Sequence, residues 1–186
     1  MLEHKELIEC LQGCRINNRG SQKKLYTSFY GFAMSVCYRY VNENEETKEV
    51  VNNGFLKVFK ELCHFKASFD NEAASFIGWI RKIMINTAID HYRKNKNQDL
   101  LQELNGTQEE ICINGDSGIE KLSHDELMKV VQTLPPGYRI VFNLYVIEGM
   151  THKQVAEQLN ITEGSSKSNF AKARSFLLKK LVNNSL

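Results

Sequence analysis

Between Asn97 and His124 the chain reads NQDLLQELNGTQEEICINGDSGIEKLSH, a polar, acidic, glycine-containing and aromatic-free stretch. Such a segment offers too little apolar surface to offset the entropy of ordering its backbone. It therefore separates the apolar residues on its two sides into different cores. The expected organisation is two small helical domains, residues 1–96 and 125–186, joined by a flexible acidic linker over 97–124 with one short helical piece near Leu100–Leu104. A chain of 186 residues accommodates two small domains as readily as one of medium size.

Both halves read as helix. The chain has only two prolines and 11 glycines and lacks alternating Val/Ile/Thr runs, so the expected fold class is all-α. In Lys24–Val41, the large residues Leu25, Phe29, Phe32, Val36 and Tyr40 recur every three or four positions and line one helix face. Val51, Phe55, Val58, Phe59 and Leu62 do the same in a second helix that begins at the acidic pair Glu45–Glu46, where a helix dipole favours negative charge. A third helix over Ala73–Lys94 carries Phe76, Ile80, Ile83 and Thr87 on one face and gathers Arg81, Lys82, Arg93 and Lys94 towards its end. Packing between helices accounts for most residues in these stripes.

Charge is distributed unevenly along the chain. Residues 1–96 hold 15 Lys/Arg against 11 Asp/Glu, residues 97–126 hold 1 against 8, and residues 127–186 hold 8 against 3. Two basic blocks around an acidic connector suit two surfaces for a polyanion, joined by a segment that avoids one. Ordinary solvated helix faces produce the same balance, so charge alone does not decide between them.

The last 60 residues supply a more specific pattern. A short helix over Asp125–Leu134 must stop before Pro135–Pro136. Tyr138–Val146 forms the next helix and breaks at Glu148–Gly149. Thr151 then caps a helix through Leu159, with Gln154 completing a capping box. Asn160–Ile161 makes a turn, and Thr162 caps a final helix to about Leu181. Two capped helices joined by so short a turn have the layout of a helix-turn-helix, whose second helix enters the DNA major groove. On that second helix Ser165, Ser166, Lys167, Ser168, Asn169 and Lys172 are the short or basic polar groups, and Phe170, Ala173, Phe176 and Leu177 form the packed face. Asn pairs with an adenine edge in two places, and Lys reaches guanine or a phosphate.

These segments carry a resemblance. LPPGYRIVFNLYVIEGMTHKQVAEQLNITEGSSKSNFAKARSFLLKKL looks like the −35-binding module of the extracytoplasmic-function sigma factors, a group of the sigma-70 superfamily. SFIGWIRKIMINTAIDHYRKNK resembles the family's −10-reading segment, with Trp79, Arg81, Asn86, Ala88, Ile89, Asp90 and Arg93 at the expected positions, and KEVVNNGFLKVFKEL resembles its polymerase-docking segment. The resemblance spans nearly everything outside the linker and the first twenty or so residues, with both modules in the family's order.

The resemblance implies a factor that binds core RNA polymerase and directs promoter-specific initiation. Residues 1–96 would dock through Asn52, Asn53, Phe55, Leu56 and Lys57, and meet single-stranded −10 DNA through Trp79, Lys82, Asn86, Arg93 and Lys94. Residues 125–186 would bind the −35 element through Ser165, Lys167, Ser168, Asn169 and Lys172. The partners implied are core polymerase, promoter DNA and an anti-sigma factor, in some cases tethered to a membrane. Departures from the family pattern are Asn52–Asn53 in place of a Gln-Glu pair, Gly54 in place of Thr, Asn169 in place of Arg and Ala171 in place of an aromatic or His. Read as an ordinary helix-interior glycine, Gly54 costs about 1 kcal/mol relative to alanine.

Other classes find less support. A ligand-controlled regulator with the same C-terminal helices needs a sensing domain before the linker, and no such pattern is visible. Cys10 with Cys14, or Cys63 with His64, lack the second pair that a four-ligand metal site requires, so no metal or cofactor is expected. The sequence has no phosphate-binding glycine loop, nucleophile elbow or paired catalytic carboxylates, which predicts a protein without catalysis of its own. No apolar run approaches the roughly 18 residues that span a bilayer, and acidic residues occupy the start where a signal peptide is basic. A cytoplasmic location is expected.

Overall fold

A computed structural model of the chain describes residues 2–67, 71–99 and 124–183, and every regular element among the described residues is helical. The chain divides into two compact units, Met1–His91 and Tyr92–Leu186.

The first unit is built from three helices and the greater part of a fourth, which passes into the second unit at Tyr92. Helix α1, His4–Arg15, starts at a reciprocal capping box between Glu3 and Glu6 and buries Leu7, Cys10, Leu11 and Cys14, a regular i, i+3, i+4, i+7 stripe. Helix α2, Arg19–Val41, begins five residues before the expected Lys24, because the Asn18 side chain accepts the Ser21 N–H and nucleates it. It ends at Asn42, whose φ of 68° places it in the left-handed region that asparagine tolerates. Helix α3, Asn44–Glu61, packs on α2 and leads through a 3-10 turn, Leu62–His64, towards α4, Glu72–Asp99.

Large apolar side chains fill the space between these helices. Leu25, Phe29, Phe55, Leu62, Phe76, Ile80, Met84 and Ile89 are fully buried, and Phe29 and Phe76 meet edge-on at 5.3 Å. Phe32, Phe59 and Ile83 are only half-buried, and on α4 Met84, Ala88 and Ile89 occupy core positions beyond the expected stripe. Gly54 corrects a sequence reading. A Cβ there would lie 2.4 Å from the sulfur of fully buried Met84, so glycine lets α3 approach α4 closely and is not simply a weakness in the helix.

In the second unit, α5 spans His124–Gln132 and stops two residues short of the expected Leu134. Helix α6, Pro136–Phe142, starts on Pro136, whose fixed φ suits a first turn, and passes into a π-helical turn, Asn143–Ile147. Helix α7 spans His152–Leu159 and α8 spans Glu163–Asn183. Val130, Val131, Leu134, Ala173 and Leu177 form one core cluster, covered by Tyr138, Phe142 and Phe176, and Ile140, Val141, Leu144 and Val155 are fully buried as well. Buried Arg139 donates from Nη1 to the carbonyls of Gln132 and Leu134, at 3.0 and 3.2 Å, and so satisfies the last residue of α5 and the turn that follows it.

Helix α4 continues through residues 97–99 of the expected linker. The remainder of that segment, with the short helix expected near Leu100–Leu104, lies outside the described residues.

Candidate nucleic-acid interface

The second unit holds α8 through local chemistry at three points. Thr151 Oγ1 accepts the Gln154 N–H at 3.2 Å while Gln154 Oε1 accepts the Thr151 N–H at 2.8 Å, which fixes the start of α7. Asn160, at φ 54°, makes the left-handed turn that ends α7. Thr162 Oγ1 accepts the Ser165 N–H at 3.0 Å and so begins α8 with only three residues between it and α7. The helix-turn-helix geometry thus follows from two caps and one residue with positive φ.

On α8, Ser165, Lys167 and Ser168 are exposed, and Asn169 and Lys172 are half-buried. Phe170, Ala173, Phe176 and Leu177 turn inward as the sequence pattern expects. Ser166 does not stand with the outward polar groups: it is fully buried, and its hydroxyl shares a 3.0 Å hydrogen bond with His152 Nδ1. Lys167 Nζ lies 2.7 Å from Glu163 Oε1, and this ammonium holds the Glu163 carboxyl below its ordinary range. Both groups are exposed, so the pair costs little to break when an anion competes for the lysine. Arg174 on α8 and Lys153 on α7 are also exposed basic groups of the helix-turn-helix, and their charge is the sequence signal that marks them.

A second polar surface lies on α4. Lys82, Asn86, Asp90, Arg93 and Lys94 are all exposed, and spacings of four, four and three put the first four along one side of the helix, with Lys94 next to Arg93 on the adjoining face. Asp90 is held by Lys57 of α3 at 2.9 Å, so a docking candidate is tied to the middle of this stripe. Trp79 is half-buried, with its ring 5.1 Å from Phe65 and 5.8 Å from Phe76, and belongs to the edge of the aromatic cluster.

The proposed docking residues on α3 part company. Asn52, Asn53 and Leu56 are exposed, Leu56 by 67%, a large apolar side chain facing solvent. Asn52 Oδ1 accepts the Tyr26 hydroxyl at 2.9 Å, which orients it. Phe55 is 2% exposed and packs 4.7 Å from the Tyr26 ring. Consecutive helix positions cannot share a face, so Phe55 is a core residue that presents nothing to a partner.

Cysteines take buried, protonated roles in the first unit. Burial pushes the Cys14 and Cys37 thiols up to about 12 and raises Cys10, whose thiol donates to the Ser21 carbonyl at 3.1 Å. Cys63 is exposed beside His64. Among the described residues, no cluster of three or more His, Cys, Asp or Glu has the arrangement to hold a metal ion, and no helix is long and apolar enough to cross a membrane.

Comparison with known proteins agrees with this layout. The family described as Sigma-70 region 2 matches residues 25–98, and that described as Sigma-70, region 4 matches residues 124–177. Among curated relatives, the ECF RNA polymerase sigma factor SigW of Bacillus subtilis is 26% identical over 156 residues, covering 78% of this chain and 81% of the relative. The RNA polymerase sigma-H factor of Pseudomonas aeruginosa is 22% identical over 163 residues, covering 80% and 79%. A solved structure of the sigma factor RpoE in complex with the anti-sigma factor NepR, from Bartonella quintana, is similar at 16% identity with a TM-score of 0.47, covering 87% of this chain and 96% of that one. Two matched regions in the family's order, and relatives aligned across most of both lengths, make this chain a member of the sigma-70 family of the extracytoplasmic-function type, a sigma factor that directs promoter-specific transcription initiation.

Proposed function

We propose that the two units divide promoter recognition between them. Residues 1–96 dock on core polymerase through the α3 surface of Asn52, Asn53 and Leu56, and follow the unpaired −10 strand along Lys82, Asn86, Arg93 and Lys94 of α4. Residues 125–186 read the −35 duplex through Ser165, Lys167, Ser168, Asn169 and Lys172 of α8, and residues 97–124 connect the two. Unpaired DNA binds where basic groups track the backbone and a polar or aromatic group meets a base, which suits the exposed face of α4. Duplex reading needs short polar and basic groups at the start of a groove-entering helix, which suits α8.

The observation that carries this reading is the exposure of Leu56. Leu56 is 67% exposed beside exposed Asn52 and Asn53, outside the buried stripe of Val51, Phe55 and Val58, and in this reading it is the apolar contact that core polymerase covers. In this reading the factor acts in the cytoplasm, performs no catalysis itself, and is restrained by an anti-sigma factor, which can be membrane-tethered.

Run-off transcription with purified core polymerase over genomic fragments tests the proposal. Discrete transcripts that require the protein, and its co-elution with core, are expected. Tight specific binding to duplex promoter DNA with no affinity for core would instead identify a stand-alone regulator.

A further inference from the structure

His152 is the first residue of α7, and it reaches across to the recognition helix in two ways. Its ring stacks on Tyr145 at 4.2 Å with planes 10° apart and lies 5.7 Å from Phe170. Its Nδ1 shares a 3.0 Å hydrogen bond with Ser166 Oγ. Ser166 and Phe170 are one turn apart on the inner face of α8, so a single imidazole engages that face at two heights. Ser166 is fully buried, while its chain neighbours Ser165 and Lys167 are exposed on the outer side.

Apolar packing alone fixes the distance of α8 from its neighbours better than its roll, because aromatic and aliphatic contacts are weakly directional. A helix with side chains is about 10–12 Å across, so a roll of about 20° carries a side-chain tip roughly 2 Å. Base recognition tolerates far less, since hydrogen bonds weaken outside a window of about half an ångström. A directional bond from a ring already fixed by stacking removes that freedom. The serine hydroxyl can donate to or accept from Nδ1, so the link does not require one imidazole tautomer.

We propose that His152 is a positioning residue for duplex reading, acting through Ser166 to set the roll of α8 and thereby the placement of Ser165, Lys167, Ser168 and Asn169. The inference rests on the reading of α8 as the −35 helix.

The test measures holoenzyme affinity for duplexes with matched and mismatched −35 sequences in four variants: S166A, H152F, H152N and S166A/H152F. Phenylalanine keeps a ring for Tyr145 but no hydrogen-bonding nitrogen, and asparagine offers an amide where Nδ1 stood. Misplacing one base contact, worth about 1–3 kcal/mol of discrimination, predicts an about fivefold or larger fall in matched-over-mismatched preference for S166A and for H152F. The double variant should fall no further than either single one, and H152N should recover to within about twofold. Melting temperature should fall only by the several degrees that one buried hydrogen bond is worth, and affinity for core polymerase should hold, which separates misplacement from unfolding. Because Ser166 is buried and cannot touch DNA, unchanged preference in S166A overturns the proposal, as do multiplied effects in the double variant. N169A is run alongside: if it too leaves the preference unchanged, the reading of α8 itself fails, and the inference with it. If N169A weakens the preference and S166A does not, only the inference fails.

Discussion

The two units place their functional side chains by different means. In the first, long helices are locked by a core of large aromatic and aliphatic groups, and the exposed stripes on α3 and α4 are simply the faces that this packing leaves outward. In the second, the helices before α8 are short, and the recognition helix depends on caps, a left-handed asparagine and a polar pair. A surface held by bulk packing tolerates polar substitution anywhere outside the core. One held by a few directional contacts is sensitive at single buried polar atoms.

The largest expected effect separates neighbours on α3. Truncating buried Phe55 to alanine removes a core aromatic, costs about 3–5 kcal/mol, and should lower the melting temperature of the first unit sharply. Leu56→Glu, one residue away but 67% exposed, should leave the melting temperature and helicity nearly unchanged while abolishing co-elution with core polymerase. Comparable melting losses in both variants would break the distinction between core and docking face.

Gly54→Ala sharpens the same comparison. Helix propensity alone predicts a gain of about 1 kcal/mol. Against it stands overpacking of about 1–3 kcal/mol where the new Cβ meets Met84, so net destabilisation is expected in denaturant titrations. A stabilised G54A protein would mean that Met84 moves aside freely.

In the second unit Thr151→Ala deletes one half of the α7 capping box and should cost about 1 kcal/mol. The loss should appear in hydrogen exchange of α7 and α8, with α1–α4 unaffected. Protection lost equally in both units would contradict their separate construction.

The smallest effect concerns thiols. With Cys14 and Cys37 pushed up to about 12 and Cys10 raised, almost none of these groups is thiolate at pH 8. Maleimide should therefore label exposed Cys63 in the native protein and reach Cys10, Cys14 and Cys37 only after unfolding. Since their ionisation is favoured in the unfolded chain from about pH 9, stability of the first unit should decline as pH rises above that value. Rapid labelling of Cys14 in the native state would place α1 off the core.

Much of this was legible in the sequence because the signals were periodic or chemically explicit. The stripes of α2–α4 and the Thr151–Gln154 capping box are examples. Helix α1 escaped notice because two of its four buried positions are cysteines, and its remaining residues are mostly polar. Gly54 was read through intrinsic propensity, which is blind to the Met84 sulfur approaching from another helix. Ser166 was grouped with its polar neighbours because a serine looks alike on either face of a helix; its partner lies 14 residues earlier in the chain. The resembling segment puts Phe55 among the docking residues although its place in the apolar stripe with Val51 and Val58 points inward, and its 2% exposure agrees with the stripe.

The division of labour between the units is tested most directly by permanganate footprinting of open complexes on intact and premelted −10 templates. Asn86→Ala should impair opening and relax −10 preference on intact promoters. Lys167→Ala and Asn169→Ala should weaken closed-complex binding, with about 1–3 kcal/mol of discrimination at stake for a good base contact, yet leave the premelted template almost unaffected. If Asn86→Ala loses only duplex affinity, or Asn169→Ala fails equally on the premelted template, the two units do not read separate promoter elements.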